Sequence, residues 1–213
     1  MSAELDQLRA RCERLELLNQ VGHVLHSTLD AQEALQLILR EAVRLMRASS
    51  GSVVLINPTS RYLEIQAAHG LPPDLADFRL PIGIGITGWV ARTGQPARVG
   101  DVTRDRRYVR LRPEVRSELA VPLLLNNDLR GVLNVDSERL DAFTADDQTL
   151  LEELALQAAR VIQNTWLYEQ LRLKARLFES LASVSQTINS TLNLDDALNV
   201  ITREACQIGR AHV

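Results

Sequence analysis

The chain has 213 residues, 46% apolar and 24% charged, the balance of a soluble globular protein with one domain plus extensions. A formal net charge of −3 argues against wholesale attraction to nucleic acid or to an anionic membrane surface. The two cysteines, Cys12 and Cys206, form neither a CxxC pair nor a metal-ligand spacing, and a reducing, cytoplasmic setting is expected.

Residues 3 to 28 read as a helix, with Leu5, Leu8, Cys12 and Leu15 on the 3,4 spacing of a coiled-coil seam. Met1 to Arg14 lacks the apolar core of a signal peptide, and no apolar run approaches the ~20 residues that span a bilayer. Asp30 and Glu33 form a capping-box variant that opens a second helix, to about Arg47. That helix is expected to bury Ala34, Leu35, Ile38, Leu39, Ala42, Val43 and Met46. Ser49-Ser50-Gly51 ends it.

Ser52 to Ile56 and Tyr62 to Ala68 read as an antiparallel hairpin around the turn Asn57-Pro58-Thr59-Ser60, with Leu63, Ile65 and Ala67 on one face. Phe78 to Ile82 is a third extended segment. A glycine-rich run, Gly83 to Gly88, leads into a short helix from about Thr87 to Thr93, stopped by Gly94 and Pro96. Ala97 to Val99 is another short strand. An irregular stretch from Asp101 to Ser117 carries six arginines: Arg104, Arg106, Arg107, Arg110, Arg112 and Arg116. It reads either as a solvated loop or as a lid that brings guanidinium groups to an anionic ligand.

Leu119 to Leu125 and Arg130 to Asp136 form a second hairpin around Asn126-Asn127-Asp128. Thr144 caps a long helix, with Asp146 and Asp147 at its positive end. Neither Gly nor Pro interrupts residues 145 to 192, and a helix to Ser185 would extend about 60 Å at 1.5 Å per residue. Val161, Asn164, Tyr168, Leu171, Ala175, Phe178 and Ala182 form a second seam within it. A domain of this size cannot cover such a helix, so a homodimer through the N- and C-terminal helices is expected. Leu18 to Ala48 aligns without gaps to Leu181 to Ala211, sharing Ser27-Thr28-Leu29 with Ser190-Thr191-Leu192. The chain therefore reads as a helix over 1–28, a domain over 29–165, a connecting helix over 166–186 and the start of a second, truncated domain over 187–213.

The central motifs resemble the GAF domain family. They are Gly83-x-Gly85-x-x-Gly88-Trp89-Val90-Ala91-x-Thr93-Gly94-Gln95-Pro96, Gly100-Asp101-Val102, Ser117-Glu118-Leu119-Ala120-Val121-Pro122-Leu123 and Gly131-Val132-Leu133-Asn134-Val135-Asp136. Phe143-x-x-x-Asp147 with Leu150-Leu151 matches the closing helix. The resemblance implies an α+β fold: a central antiparallel sheet of about six strands with helices on both sides, extended by long N- and C-terminal coiled-coil helices. The first and last helices would cover one face and a small-molecule pocket the other. Its ligand-binding residues would be Phe78, Ile86, Thr87, Trp89, Asp101, Arg107, Tyr108, Ser117 and Leu119.

The run from Gly83 to Gly88 also fits G-x-G-x-x-G. Pro81 interrupts the preceding strand, however, and the following helix is too short for a dinucleotide fold. Asn134, Phe143 and Asp147 match part of the family's cyclic-nucleotide pattern, but Arg139 and Gln148 depart from it. Bilin-binding and sulfoxide-reducing members need pocket cysteines, and none lies between Cys12 and Cys206. The histidines offer no readable haem ligand, and the cofactor stays unknown.

The function expected is that of a regulatory sensor module in signal transduction, beside a histidine kinase, a cyclic-dinucleotide enzyme or a transcription activator. It would bind a small ligand or a partner and pass the change through its C-terminal helix. The alternative is a dimerisation module whose pocket is filled by its own apolar side chains. Neither nucleic acid nor direct membrane contact is expected. An enzyme would require convergent titratable groups in the pocket, and only the arginine-rich loop and Asp101 offer any, so the chain is read as not an enzyme.

Overall fold

The computed structural model describes residues 31–72, 79–110, 112–190, 201–203 and 205–206. The chain divides into two units, Met1–Gln163 and Asn164–Val213. The expected N-terminal helix, Phe78 and most of the expected second, truncated domain over 187–213 lie outside the described residues.

In the first unit, helix α1 (Ala31–Leu45) buries Ala34, Leu35, Ile38, Leu39, Ala42 and Val43, with Met46 buried just beyond it. This is the stripe set by the 3,4 spacing of those residues. Strands β1 (Ser50–Ile56) and β2 (Tyr62–His69) follow, then the two-residue β3 (Leu80–Pro81). Helix α2 (Gly85–Thr93) precedes β4 (Ala97–Val99), β5 (Ser117–Leu125) and β6 (Asp128–Ser137). Helix α3 runs from Ala145 to Ser190. Between β4 and β5 the chain makes one 3₁₀ turn, Val102–Arg104.

The six strands form one sheet in the order β3-β2-β1-β6-β5-β4, and every described pairing is antiparallel. An all-antiparallel sheet has no crossover of the dinucleotide kind, so the glycine run serves geometry. Gly83 and Gly85 take φ of 92° and 75°, which a side chain would strain. Gly94 caps α2 at φ 67°, its N–H donating to Val90 O.

Alternation on β5 and β6 separates two cores. Leu119, Val121, Leu123, Leu133 and Val135 face one way and pack with Val53, α1 and the first turns of α3. Ala120 and Val132 face the other way and pack with Val54, Ile86, Val90 and Val115. One expectation fails here. Leu63, Ile65 and Ala67 do not share a face, because the β1–β2 register slips between Val53, which pairs with Ala67, and Val54, which pairs with Ile65. Gln66 is the extra residue of this bulge, and one inserted residue reverses which face the strand presents. Ala67 joins the core under α1, while Leu63 joins the one under α2.

In the second unit, α3 continues from Asn164 to Ser190, and residues 201–203 and 205–206 are helical. Tyr168, Leu171 and Phe178, on the seam read from the sequence, are 68%, 70% and 69% exposed. Their pairing in a coiled coil therefore stays an expectation. Among the described residues no helix is long and apolar enough to cross a membrane.

Candidate functional site

The sheet register builds a polar row on the face under α2. Ser50 pairs with Asp136, Asp136 with Glu118 and Glu118 with Val99, across β1, β6, β5 and β4. The next row on that face is Ser52, Asn134, Ala120 and Ala97. Two carboxylic acids thus stand opposite each other in a sheet interior, where like charges destabilise. Both are buried, Glu118 at 5% exposure and Asp136 at 8%.

Glu118, Asp136, Ser52 and Asn134 line a cavity of about 120 Å³. Val54, Leu63, Ile65, Leu80, Ile86 and Val115 supply its apolar walls. Ser52, Thr87, Tyr108, Arg112, Glu118, Asn134 and Asp136 supply its polar ones. The first turn of α2, Gly85 to Thr87, forms one side, and its N-cap, Ile84, makes no side-chain cap. Backbone N–H groups of a helix start therefore border the cavity.

The acids take their hydrogen bonds from neighbouring side chains, and Asn134 Nδ2 donates to Asp136 Oδ1 at 3.5 Å. Thr87 Oγ1 donates to Glu118 Oε1 at 3.0 Å. Ser50 Oγ donates to Asp136 Oδ2 at 3.1 Å, and Ser52 Oγ donates to Asn134 Oδ1 at 2.5 Å. Burial, then the charge of Asp136, pushes Glu118 up to about 8. Burial also raises Asp136, to about 6, against the hydrogen bond from Ser50 and the charge of Arg112. Near neutral pH this pair holds a proton that exposed carboxyls would have lost. Tyr108 is raised to about 12 by burial and by the charges of Asp136 and Glu118, so it stays a neutral hydroxyl, donating to Arg112 O at 3.1 Å.

The sequence-read residues divide into two groups. Ile86, Thr87 and Tyr108 line the cavity. Trp89 and Arg107 lie beside each other, with the guanidinium 4.5 Å from the ring centroid. Arg107 is held by Asp105 at 2.6 Å, which keeps that acid below the usual carboxylate range. Asp101 caps the 3₁₀ turn, accepting from Thr103 N at 3.0 Å and Thr103 Oγ1 at 2.6 Å, and this bond lowers it. Ser117 donates to Arg139 O at 2.8 Å. Leu119 is apart from the cavity because β5 alternation turns it toward α1 and α3, leaving Glu118 on the cavity side. Sequence reasoning passed over Ser50, Ser52, Glu118 and Asp136 as site residues, and read Arg112 only as one of six lid arginines and Asn134 only within a partial cyclic-nucleotide pattern. The signal was present: Glu118 adjoins the apolar run Leu119 to Leu125, and Asn134 and Asp136 alternate with Leu133 and Val135 in β6.

A six-stranded antiparallel sheet, helices packed on one face and a polar cavity under a short helix on the other, defines a one-sided α+β pocket domain. The chain belongs to the GAF domain family, whose model matches residues 28–163. The free methionine-R-sulfoxide reductase of Escherichia coli (strain K12) is 31% identical over 91 residues, covering 43% of this chain and 55% of that protein. The Nif-specific regulatory protein of Azospirillum lipoferum is 31% identical over 141 residues, covering 61% of this chain but 22% of that protein. The chain thus spans about half the length of the first relative and under a quarter of the second. The solved GAF domain of an Acinetobacter phosphoenolpyruvate-protein phosphotransferase superposes with a TM-score of 0.67 at 19% identity, over 74% of this chain and 98% of that one. The free methionine-R-sulfoxide reductase of Neisseria meningitidis, in complex with its substrate, superposes with a TM-score of 0.66 at 26% identity, over 73% and 91%.

The expectation that the chain is not an enzyme is overturned by these neighbours, because reductases share its fold and part of its sequence. The physical ground of that expectation also fails. Titratable groups are expected in the pocket only from the arginine-rich loop and Asp101, yet Glu118 and Asp136 meet in the cavity with raised proton affinity.

Proposed function

We propose that residues 31–163 form the input unit of a regulatory protein, and that the cavity binds a small ligand of amino-acid size through its ammonium group. One observation carries this: two buried carboxyls face each other on the cavity wall with a single cationic side chain, Arg112, among the described lining residues. A desolvated acid pair keeps a proton unless a bound cation replaces it. A compact ammonium with three donors takes that proton's place at Glu118 and Asp136. The uncapped start of α2 suits a carboxylate on the same ligand. The volume lies below the roughly 300–1,000 Å³ of drug-sized ligand sites, which favours an amino acid over a nucleotide.

Two relatives support the reading. One is a regulatory protein, and another is a reductase whose name specifies a free amino-acid derivative. No cysteine lies within residues 31–163, so the chemistry this cavity offers is that of carboxyls and hydroxyls. With one carboxyl protonated near neutral pH, the pair also has the character of a proton donor and acceptor. In this proposal ligand binding biases the start of α3, which follows directly after β6, and the helix carries the change onward to an effector.

The test is calorimetric titration of the protein with the free amino acids and methionine sulfoxide. At least one should bind, and the double variant Glu118→Gln/Asp136→Asn should bind it at least tenfold more weakly, about 1.4 kcal/mol. Absence of binding across the panel, or undiminished binding to the double variant, defeats the reading.

A further inference from the structure

Arg112 reaches the cavity from the segment between β4 and β5, whereas the acids stand on the sheet. Its side chain is 11% exposed. Nε donates to Glu114 Oε1 at 2.8 Å, and Nη1 donates to Ser50 Oγ. Ser50 in turn donates to Asp136 Oδ2 at 3.1 Å. A serine hydroxyl has one hydrogen. Its lone pair takes the guanidinium hydrogen, and its own hydrogen goes to Asp136. The cation is therefore a single relay away from the buried acid.

The same contacts hold the segment down. Arg112 O accepts the Tyr108 hydroxyl, and Arg107, five residues earlier, lies over Trp89 of α2. The chain thus carries its own cation, paired with Glu114, to the cavity wall beside the acid row, one hydroxyl away from Asp136.

We propose that Arg112 is a tethered occupant of the cavity's cation site, displaced when a ligand ammonium reaches Glu118 and Asp136, so that ligand binding and release of the 101–116 segment are one event. The inference rests on the ligand reading above and adds its regulation. Two cations cannot both complete one acid row in so small a space, so the incoming group substitutes for the resident one. A ligand then binds with an affinity reduced by the work of displacing Arg112, and that work goes into moving the segment.

The test uses guanidinium and methylammonium ions as probes. Arg112→Ala removes the tethered cation and leaves its space. Low-millimolar guanidinium should raise the melting temperature of this variant by about 3 °C and leave wild type unchanged. The added substitution Asp136→Asn should abolish the rise. Arg112→Gln, which keeps a donor for Ser50 without the charge, should bind methylammonium at least tenfold more tightly than wild type. With Trp166→Phe as background, Trp89 fluorescence should change on methylammonium binding to the chain with Arg112 and stay unchanged in Arg112→Gln.

Equal guanidinium responses in Arg112→Ala and wild type, or weaker methylammonium binding to Arg112→Gln, overturn the proposal. The second result would make Arg112 a ligand-holding group. The two readings fail separately. Guanidinium rescue without amino-acid binding leaves Arg112 in its role and removes the ligand class. Amino-acid binding indifferent to Arg112→Gln does the reverse.

Discussion

At the residue scale the Glu118–Asp136 pair makes stability depend on pH in an uncommon direction. A carboxyl raised from 4.5 to about 8 binds its proton more tightly in the folded state than in the unfolded one. Its contribution is complete below the unfolded value and is lost as pH rises through the folded value. The wild-type protein should lose stability between pH 4.5 and about 8, with a limiting slope of about 1.4 kcal/mol per pH unit from a single such group. Glu118→Gln keeps the shape and removes that group's titration, leaving Asp136, which burial raises to about 6. Urea midpoints should fall for wild type up to about pH 8, whereas those of the variant should fall only up to about pH 6 and stay nearly level above it. Equal slopes would show that Glu118 titrates as an exposed acid does. The sequence hid this pair for a physical reason. Asp136 precedes a run of acids ending in Asp147, which helix capping explains, and Thr144 and Asp147 do cap α3 reciprocally at 2.7 and 3.2 Å. Only the strand register, which joins residues 18 positions apart, sets Asp136 opposite Glu118.

At the element scale local chemistry was legible where it was self-contained. Asn126 and Asn127 take φ of 49° and 65°, the turn that two asparagines between apolar runs announce. The face of α1 followed from its 3,4 spacing. The β1–β2 bulge was not legible, because period-two alternation in β2 looks the same whether or not a partner strand forces an extra residue out. Two glycines separate conformational from steric need. Gly94 has φ 67° and open space where a Cβ would stand, so Gly94→Ala should cost about 1 kcal/mol from backbone strain alone, with Gly94→Asn milder. Gly131 sits in β6 where a Cβ would lie 2.0 Å from Val54 O on the neighbouring strand. Gly131→Ala must part β1 from β6 and should cost more than about 3 kcal/mol, or prevent folding. Chemical denaturation of both variants checks the ranking, and a milder effect at Gly131 than at Gly94 would contradict the strand contact.

At the scale of the whole molecule the family was legible because its motifs are ordered glycine, proline and acid signals at turns and strand ends, which survive without knowledge of packing. The pocket chemistry was less so, since arginines that crowd a sequence look important while the buried acids are few. In the second unit, exposure of apolar side chains bears on assembly. Tyr168, Leu171 and Phe178 recur at 3 and 7 residues along α3 and remain largely solvent-exposed in one chain. Burying side chains of that kind is worth roughly 1.5–3 kcal/mol each, enough for a few of them to outweigh the entropy of association. We propose that a second copy of the chain covers them in parallel, with Asn164 setting the register. Sedimentation over a range of concentrations should then show a dimer for wild type and a monomer for Leu171→Asp/Phe178→Asp. The folded unit over residues 31–163 buries neither residue in its cores, so its melting transition should move by no more than a few degrees in the variant. A wild-type monomer at high concentration would remove the dimer, and with it any account in which two α3 helices carry the signal together.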